Sequence, residues 1–278
     1  MTSGADQQAG PEDTLDAFHR GRFHLLQPKR GGHRAGMDAM MLAALVAADD
    51  PADDRADDPF PGGRLRIADL GAGAGAAGLG VAARIESAEV TLVERSALMA
   101  EFARRTLFLP QNAALAGRVS VVEADVTLRG AARQAAGLPD DHFHHVIMNP
   151  PFNDGRDRQT PDRLKAEAHA MTEDLLEAWI RTAGAIMVPG GQLSLIARPS
   201  SVAEIIAACG RRFGGIELTA LHPRPGEDAI RLLVTAIKGS RARLVLRAPL
   251  FMHDSEGHAF TPLVDDLNNG RQAYRRRR

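Results

Sequence analysis

Four short segments carry residues whose types and spacing could do chemistry. Asp69-Leu-Gly71-Ala-Gly73-Ala-Gly75 opens on an acid and sets glycines at alternate positions. Gly71 and Gly73 permit positive φ and let a ligand approach the main chain. A helix starting just after them aims free amides and the positive end of its dipole at an anionic group. Glu94 ends the apolar run EVTLVE, and its carboxylate can accept hydrogen bonds from two ribose hydroxyls. Asp125 follows the run RVSVVEA. It can take the exocyclic amine of an adenine ring, or simply cap the turn before Thr127. Asn149-Pro150-Pro151-Phe152 follows the run HHVIM.

That last segment is the most specific. Two prolines fix the backbone and remove two amide donors. The Pro150 carbonyl is then free to point beside the Asn149 side-chain oxygen. Two acceptors converging on one planar amino group orient it, and stabilise it as it becomes tetrahedral and positive during methyl transfer. Phe152 offers a face on which a base could stack, worth about 1–3 kcal/mol. Asn149, Pro150 and Phe152 are therefore the candidate catalytic residues. Asp69, Gly71, Gly73, Glu94, Asp125 and Asn149 are the candidates for holding a cofactor.

Gly73-x-Gly75-x-x-Gly78 also matches the dinucleotide fingerprint, with Glu94 downstream. Asp69 tilts the reading away from it. An acid at the end of the first strand would repel a pyrophosphate, and suits a ligand with an amino group, such as the methionine part of S-adenosylmethionine. A hydride-transfer enzyme would need an acid such as a Tyr-Lys pair, and the chain's single tyrosine is Tyr274. Transfer of a methyl group from a sulfonium needs alignment rather than a general base, so the lack of a Ser-His-Asp or Cys-His set agrees with it. His142, His144 and His145 resemble a metal cluster in spacing, but adjacent residues of a strand point to opposite faces. No metal is expected.

These segments need a scaffold of alternating strands and helices. Strands are predicted at Leu65–Leu70, Glu89–Glu94, Arg118–Ala124, His144–Met148 and Gln192–Ala197. Helices are predicted at 37–48, 76–85, 96–109, 128–136, 172–187 and 201–209. Ser96 caps one helix, and Ser201-x-x-Glu204 reads as a capping box. Further strands fall at 217–221, 230–238 and 243–247. The fold class is α/β, a doubly wound, seven-stranded, mostly parallel sheet with an antiparallel edge. Ligands bind such sheets beyond the carboxyl ends of the strands. Trp179 sits at helical spacing with Leu175 and Leu176, and reads as core.

The 278 residues fit one large α/β domain. Apolar residues are 44% and charged residues 25%, ordinary for a soluble globular protein. With 34 basic and 35 acidic side chains, the chain is not built to coat nucleic acid non-specifically. Residues 1–21 are expected to be disordered, 22–270 to form the domain with an acidic linker near 49–63, and 271–278 to be a solvated basic tail. The tail holds Arg271 and Arg275 to Arg278 and no acid. One cysteine, Cys209, points to a reducing compartment. The N-terminus lacks a signal-like apolar core and no run suits a membrane helix, so a cytoplasmic location is expected.

The motifs together resemble a class I S-adenosylmethionine-dependent methyltransferase of the amino-methylating kind. The flanks are similar to the bacterial tRNA(Val) adenine-N6 methyltransferase family. They are Arg34-Ala-Gly-Met-Asp38-Ala-Met-Met-Leu-Ala-Ala, and Arg243-Leu-Val-Leu-Arg-Ala-Pro-Leu with His253, Gly257 and Phe260-Thr261 after it. The resemblance implies S-adenosyl-L-methionine as cofactor and a structured RNA, a tRNA, as substrate, methylated on an adenine of the anticodon loop. It implies that the segment before the Asp38 helix, within 22–63, folds over the cofactor, which adds Asp38 to the cofactor set. Family members often have Tyr where this chain has Phe152. Relatives with the same Asn-Pro-Pro-aromatic motif methylate guanine N2 in ribosomal RNA or a glutamine in a protein. Those acceptors stay open, as does a non-catalytic RNA-binding module that keeps the pocket. The loop after Phe152 carries Arg156, Arg158, Arg163 and Lys165, which could meet phosphates.

Overall fold

A computed structural model describes residues 13–29, 34–48, 63–151, 173–254 and 256–277. The chain opens on an antiparallel hairpin, β1 (Asp13–Phe18) and β2 (Phe23–Pro28). For residues 13–21 this overturns the expectation of disorder; residues 1–12 lie outside the described residues. The anchor is β2, which buries Phe23, Leu25 and Leu26. Asn112 brackets His24, accepting from its amide at 2.9 Å and donating to its carbonyl at 2.7 Å. Phe18 stacks on Phe23 at 5.4 Å.

Then come α1 (Met37–Ala44), β3 (Leu65–Leu70), α2 (Ala76–Arg84), β4 (Ala88–Glu94), α3 (Ala97–Leu107), α4 (Ala113–Ala116) and β5 (Val119–Glu123). They are followed by α5 (Gly130–Ala135), β6 (Phe143–Met148), α6 (Glu173–Ile186), β7 (Met187–Ala197), α7 (Val202–Cys209), β8 (Phe213–His222) and β9 (Arg231–Lys238). Two short strands, β10 (Val245–Leu246) and β11 (Leu250–Phe251), precede α8 (Pro262–Asn268).

The central sheet has the order β10-β8-β9-β7-β6-β3-β4-β5, with β11 also on β8. It is a doubly wound, Rossmann-like sheet of nine strands rather than seven. The one antiparallel strand, β9, lies inside the sheet between β7 and β8, not at its edge. The edge strands β10 and β11 run parallel to β8. A short β8–β9 connection forces antiparallel pairing, and the loop after β9 carries the chain back beyond β8.

Helices cover both faces. α1, α2, α3, α8 and the hairpin enclose one core cluster, and α6 and α7 enclose the other. Ser96 caps α3, its hydroxyl accepting from Met99 N–H at 3.4 Å. The capping box expected at Ser201 does not form. Pro199–Ser201 is already a 3-10 turn leading into α7, and the Ser201 side chain makes no cap bond.

The basic tail is not a free end. Tyr274 N–H donates to Ala44 O at 2.8 Å, and the Arg247 guanidinium lies 4.5 Å above the Tyr274 ring. Arg276 donates to Thr235 Oγ1 at 2.7 Å. Glu217, buried on β8, accepts from Arg247 at 3.1 Å and from the Arg277 amide at 3.2 Å. Buried acceptors on the β8–β9 face thus hold the tail down.

Candidate active site

The register of the parallel strands gathers the predicted segments at one edge. Leu70 of β3 pairs with Met148 of β6 and with Val93 of β4, and Glu94 pairs with Glu123 of β5. Asn149, Gly71, Glu94 and Asp125 therefore follow one another along the carboxyl edge, in that spatial order.

Gly71, Gly73 and Gly75 have φ of +70°, +57° and +96°, all left-handed. Side chains other than glycine's are strained there. The amides of Gly71 and Ala72 both donate to Val93 O, at 2.8 and 3.0 Å. Glu94 ties the turn down from the next strand. Its Oε2 accepts from Gly73 N–H at 2.9 Å, and its Oε1 from Ser96 N–H at 2.8 Å. Gly75 is the N-cap of α2, so the helix begins where the turn ends.

Asp69 lies below the turn, 2% exposed, and its Oδ2 accepts from Gly78 N–H at 2.8 Å. Burial pushes its carboxyl up to about 7. The Gly78 amide works against that shift and the Glu94 charge adds to it. Gly78 itself serves packing, since a side chain there would run into Leu92 and Val90 of β4. Asp125 makes a turn cap, its Oδ1 accepting from the amide and the hydroxyl of Thr127, both at 2.8 Å. Its second carboxylate oxygen is left to receive an amine.

Asn149 is half-buried at the end of β6, followed by buried Pro150 and half-buried Pro151. Its Oδ1 is buried and accepts no hydrogen bond among the described residues. A buried acceptor left bare costs about 1–3 kcal/mol, so the site holds ready an oxygen that an amino group would satisfy. Phe152 and the loop with Arg156, Arg158, Arg163 and Lys165 lie outside the described residues.

Asp38, in the first turn of α1, is engaged by β9. Its Oδ2 accepts from Arg231 Nε at 2.7 Å. Arg231 opens β9, which is separated from β6 by β7. Two relations escaped the sequence: the Ser96 amide shares Glu94 with the turn, and Trp179 packs against Gly71. The first was open to the eye in the spacing of Glu94 and Ser96. The second has no local signal.

The site fits S-adenosylmethionine in its chemistry. A left-handed glycine turn opens the backbone, the Glu94 carboxylate lies against that turn, and Asn149 leaves an acceptor bare among the described residues. Among the described residues no group of three or more His, Cys, Asp or Glu could hold a metal ion. No helix among them is long and apolar enough to cross a membrane.

Comparison with known proteins agrees with this geometry. Residues 60–221 match the family model described as methyltransferase small domain. The crystal structure of a predicted O-methyltransferase from Agrobacterium tumefaciens is 65% identical. The likeness covers 86% of this chain and 99% of that one, with a TM-score of 0.72. A release factor glutamine methyltransferase of Deinococcus radiodurans is 33% identical over 51% of this chain and 49% of its own length. Ribosomal RNA large subunit methyltransferase G of Pseudomonas paraeruginosa is 32% identical over 58% of this chain and 36% of its own. The chain thus spans half or less of the length of these two curated relatives. By the match across 60–221 and the shared fold, the chain belongs to the methyltransferase small domain family.

Proposed function

We propose that this chain is an S-adenosylmethionine-dependent N-methyltransferase acting on a planar amino group, the N6 of an adenine in a tRNA anticodon loop. The observation that supports an amino acceptor is the bare, buried Oδ1 of Asn149, one strand from the glycine turn. The adenine and the tRNA rest on the flanks around Asp38 and Arg243 to Phe260. The relatives named for ribosomal RNA and release factor glutamine support the competing acceptors, an amino group of ribosomal RNA such as guanine N2, and a protein glutamine.

When bound, S-adenosylmethionine supplies a methyl group on an electrophilic sulfonium. The chain's own residues do the rest by placement. The Gly71–Gly75 turn and the start of α2 take the methionine end, and Glu94 takes the ribose hydroxyls in place of its amide partners or beside them. Asp125 receives the adenine amine. Asp38, fixed by Arg231, holds the start of α1 at the rim. Asn149 Oδ1 and the Pro150 carbonyl accept from the two protons of the target amino group, turning its lone pair toward the methyl. Phe152 stacks on the base. Alignment of this kind is the largest resource such a site has. A target base must leave its stack, which costs least in a single-stranded loop.

A hydroxyl acceptor, as named for the Agrobacterium protein, must lose its proton to attack. The Asn149 amide takes no proton at neutral pH, which favours nitrogen. The protein would work in the cytoplasm, with its RNA. The test supplies labelled S-adenosylmethionine to the protein with unmodified tRNA, ribosomal RNA and protein fractions in parallel. N6-methyladenosine in tRNA is the expected product. Label in ribosomal RNA or protein overturns the acceptor and keeps the site. Cofactor binding without label in any fraction points to a binding module.

A further inference from the structure

We infer that Trp179 is a positioning residue for the methyl donor, the block against which the Gly71 turn is set. The inference rests on the reading of that turn as the cofactor site.

Gly71 has φ +70°, and the space a side chain would need is filled by the six-membered ring of the Trp179 indole. The turn is therefore pinned from two sides. The Gly71 and Ala72 amides hold it to Val93 O, and the indole closes the other side. Trp179 is 8% exposed and belongs to the core cluster that includes Leu70, Val93 and Leu176. Core packing alone asks for apolar volume, which a leucine could also give. What meets Gly71 is the far edge of the indole, a reach from α6 that a leucine at 179 would fall short of.

The same helix bears on the opposite wall of the site. Thr182 Oγ1 donates to Val126 O at 2.6 Å, directly after Asp125. Positions three apart share one helix face. One face of α6 thus braces both the turn after β3 and the turn after β5. Its stiffness sets the distance between the residues assigned to the two ends of the donor. A ring side chain suits this task because it has few torsions to relax.

The test compares wild type, Trp179→Leu and Trp179→Phe by calorimetric titration with S-adenosylmethionine, with melting temperatures alongside. Wild type is expected to bind. Trp179→Leu should bind about 10- to 100-fold more weakly, the scale of a misplacement of about 1 Å, and Trp179→Phe should recover most of the loss. A folded Trp179→Leu with wild-type affinity overturns the positioning role and leaves the cofactor site standing. Wild type that does not bind overturns both. If Trp179→Leu does not fold, the wild-type emission decides, because Trp179 is the chain's single tryptophan. A shift of that emission at calorimetric saturation is expected, and an unchanged spectrum overturns the inference.

Discussion

Gly71 and Asn149 leave the central sheet side by side, one residue beyond the paired positions Leu70 and Met148. Neighbouring strands lie about 4.7–4.9 Å apart. The turn assigned to the methyl donor and the asparagine assigned to the methyl acceptor are thus held in register by a backbone ladder, not by loops. Side chains elsewhere tune the two, and the sheet fixes them.

Glu94 should matter to folding as well as to binding. Its two oxygens serve the Gly73 and Ser96 amides. Glu94→Ala leaves both donors without a protein partner, at about 1 kcal/mol each. Urea unfolding should show a loss of about 2 kcal/mol, together with weakened cofactor binding. Unchanged stability would mean that solvent serves these amides equally well.

Asp69 and His19 should tilt stability in opposite directions with pH. Burial raises the Asp69 carboxyl from its ordinary 3.8 to about 7. Its contribution is full below the unfolded value and is lost as pH rises through about 7. His19 is buried between Gly80 and Gly270, and burial first, then Arg22 and Arg84, lower its imidazole from 6.5 to about 4. Its contribution is full above 6.5 and is lost as pH falls through about 4. Between 4 and 6.5 the two slopes oppose each other. Relative to wild type, Asp69→Asn should gain stability as pH rises across that window. His19→Asn, which tolerates the φ of +47° at this position, should gain as pH falls. Urea midpoints at three pH values check both signs, and parallel curves for all three proteins would contradict them.

The tail should stabilise the fold. Deleting 272–278 removes the Tyr274 amide bond to Ala44, the stack under Arg247 and the Arg276 and Arg277 bonds to the β8–β9 face. Bonds to charged groups are worth about 1.5–3 kcal/mol each. The truncated protein should lose several kcal/mol, read as a lower urea midpoint. The slope of any RNA affinity against salt should change little, because the Arg276 guanidinium is already held by Thr235 and Gly215 and Arg277 is tied by its amide. A changed slope with an unchanged midpoint would reverse that assignment.

Much of this site was readable before any coordinates. Apolar runs of strand length ending at Leu70, Glu94, Ala124 and Met148 place their ends and the next residues at one edge, whatever the sheet order. Two prolines after Asn149 left few backbone options. What stayed hidden depends on partners distant in sequence. β9 looks like any late strand, and only its pairing with β7 puts it inside the sheet. Residues 13–18 are short and only half apolar, and gain order by pairing with β2, which buries Phe23 and Leu26 and packs on α3 and α2. The tail reads as solvated charge unless Glu217 is known to be buried. Helical spacing marks Trp179 as inward-facing but cannot say that a glycine turn waits there.

The most direct test concerns Asn149. Asn149→Ala removes a buried acceptor that has no partner, so its melting temperature should equal or slightly exceed that of wild type. Cofactor affinity should stay within a few-fold. Methyl transfer to the proposed amino acceptor should fall by about 100- to 1,000-fold, the cost of removing one preorganised polar group from a transition state. Full activity in Asn149→Ala, with cofactor bound as in wild type, would contradict the account at its centre.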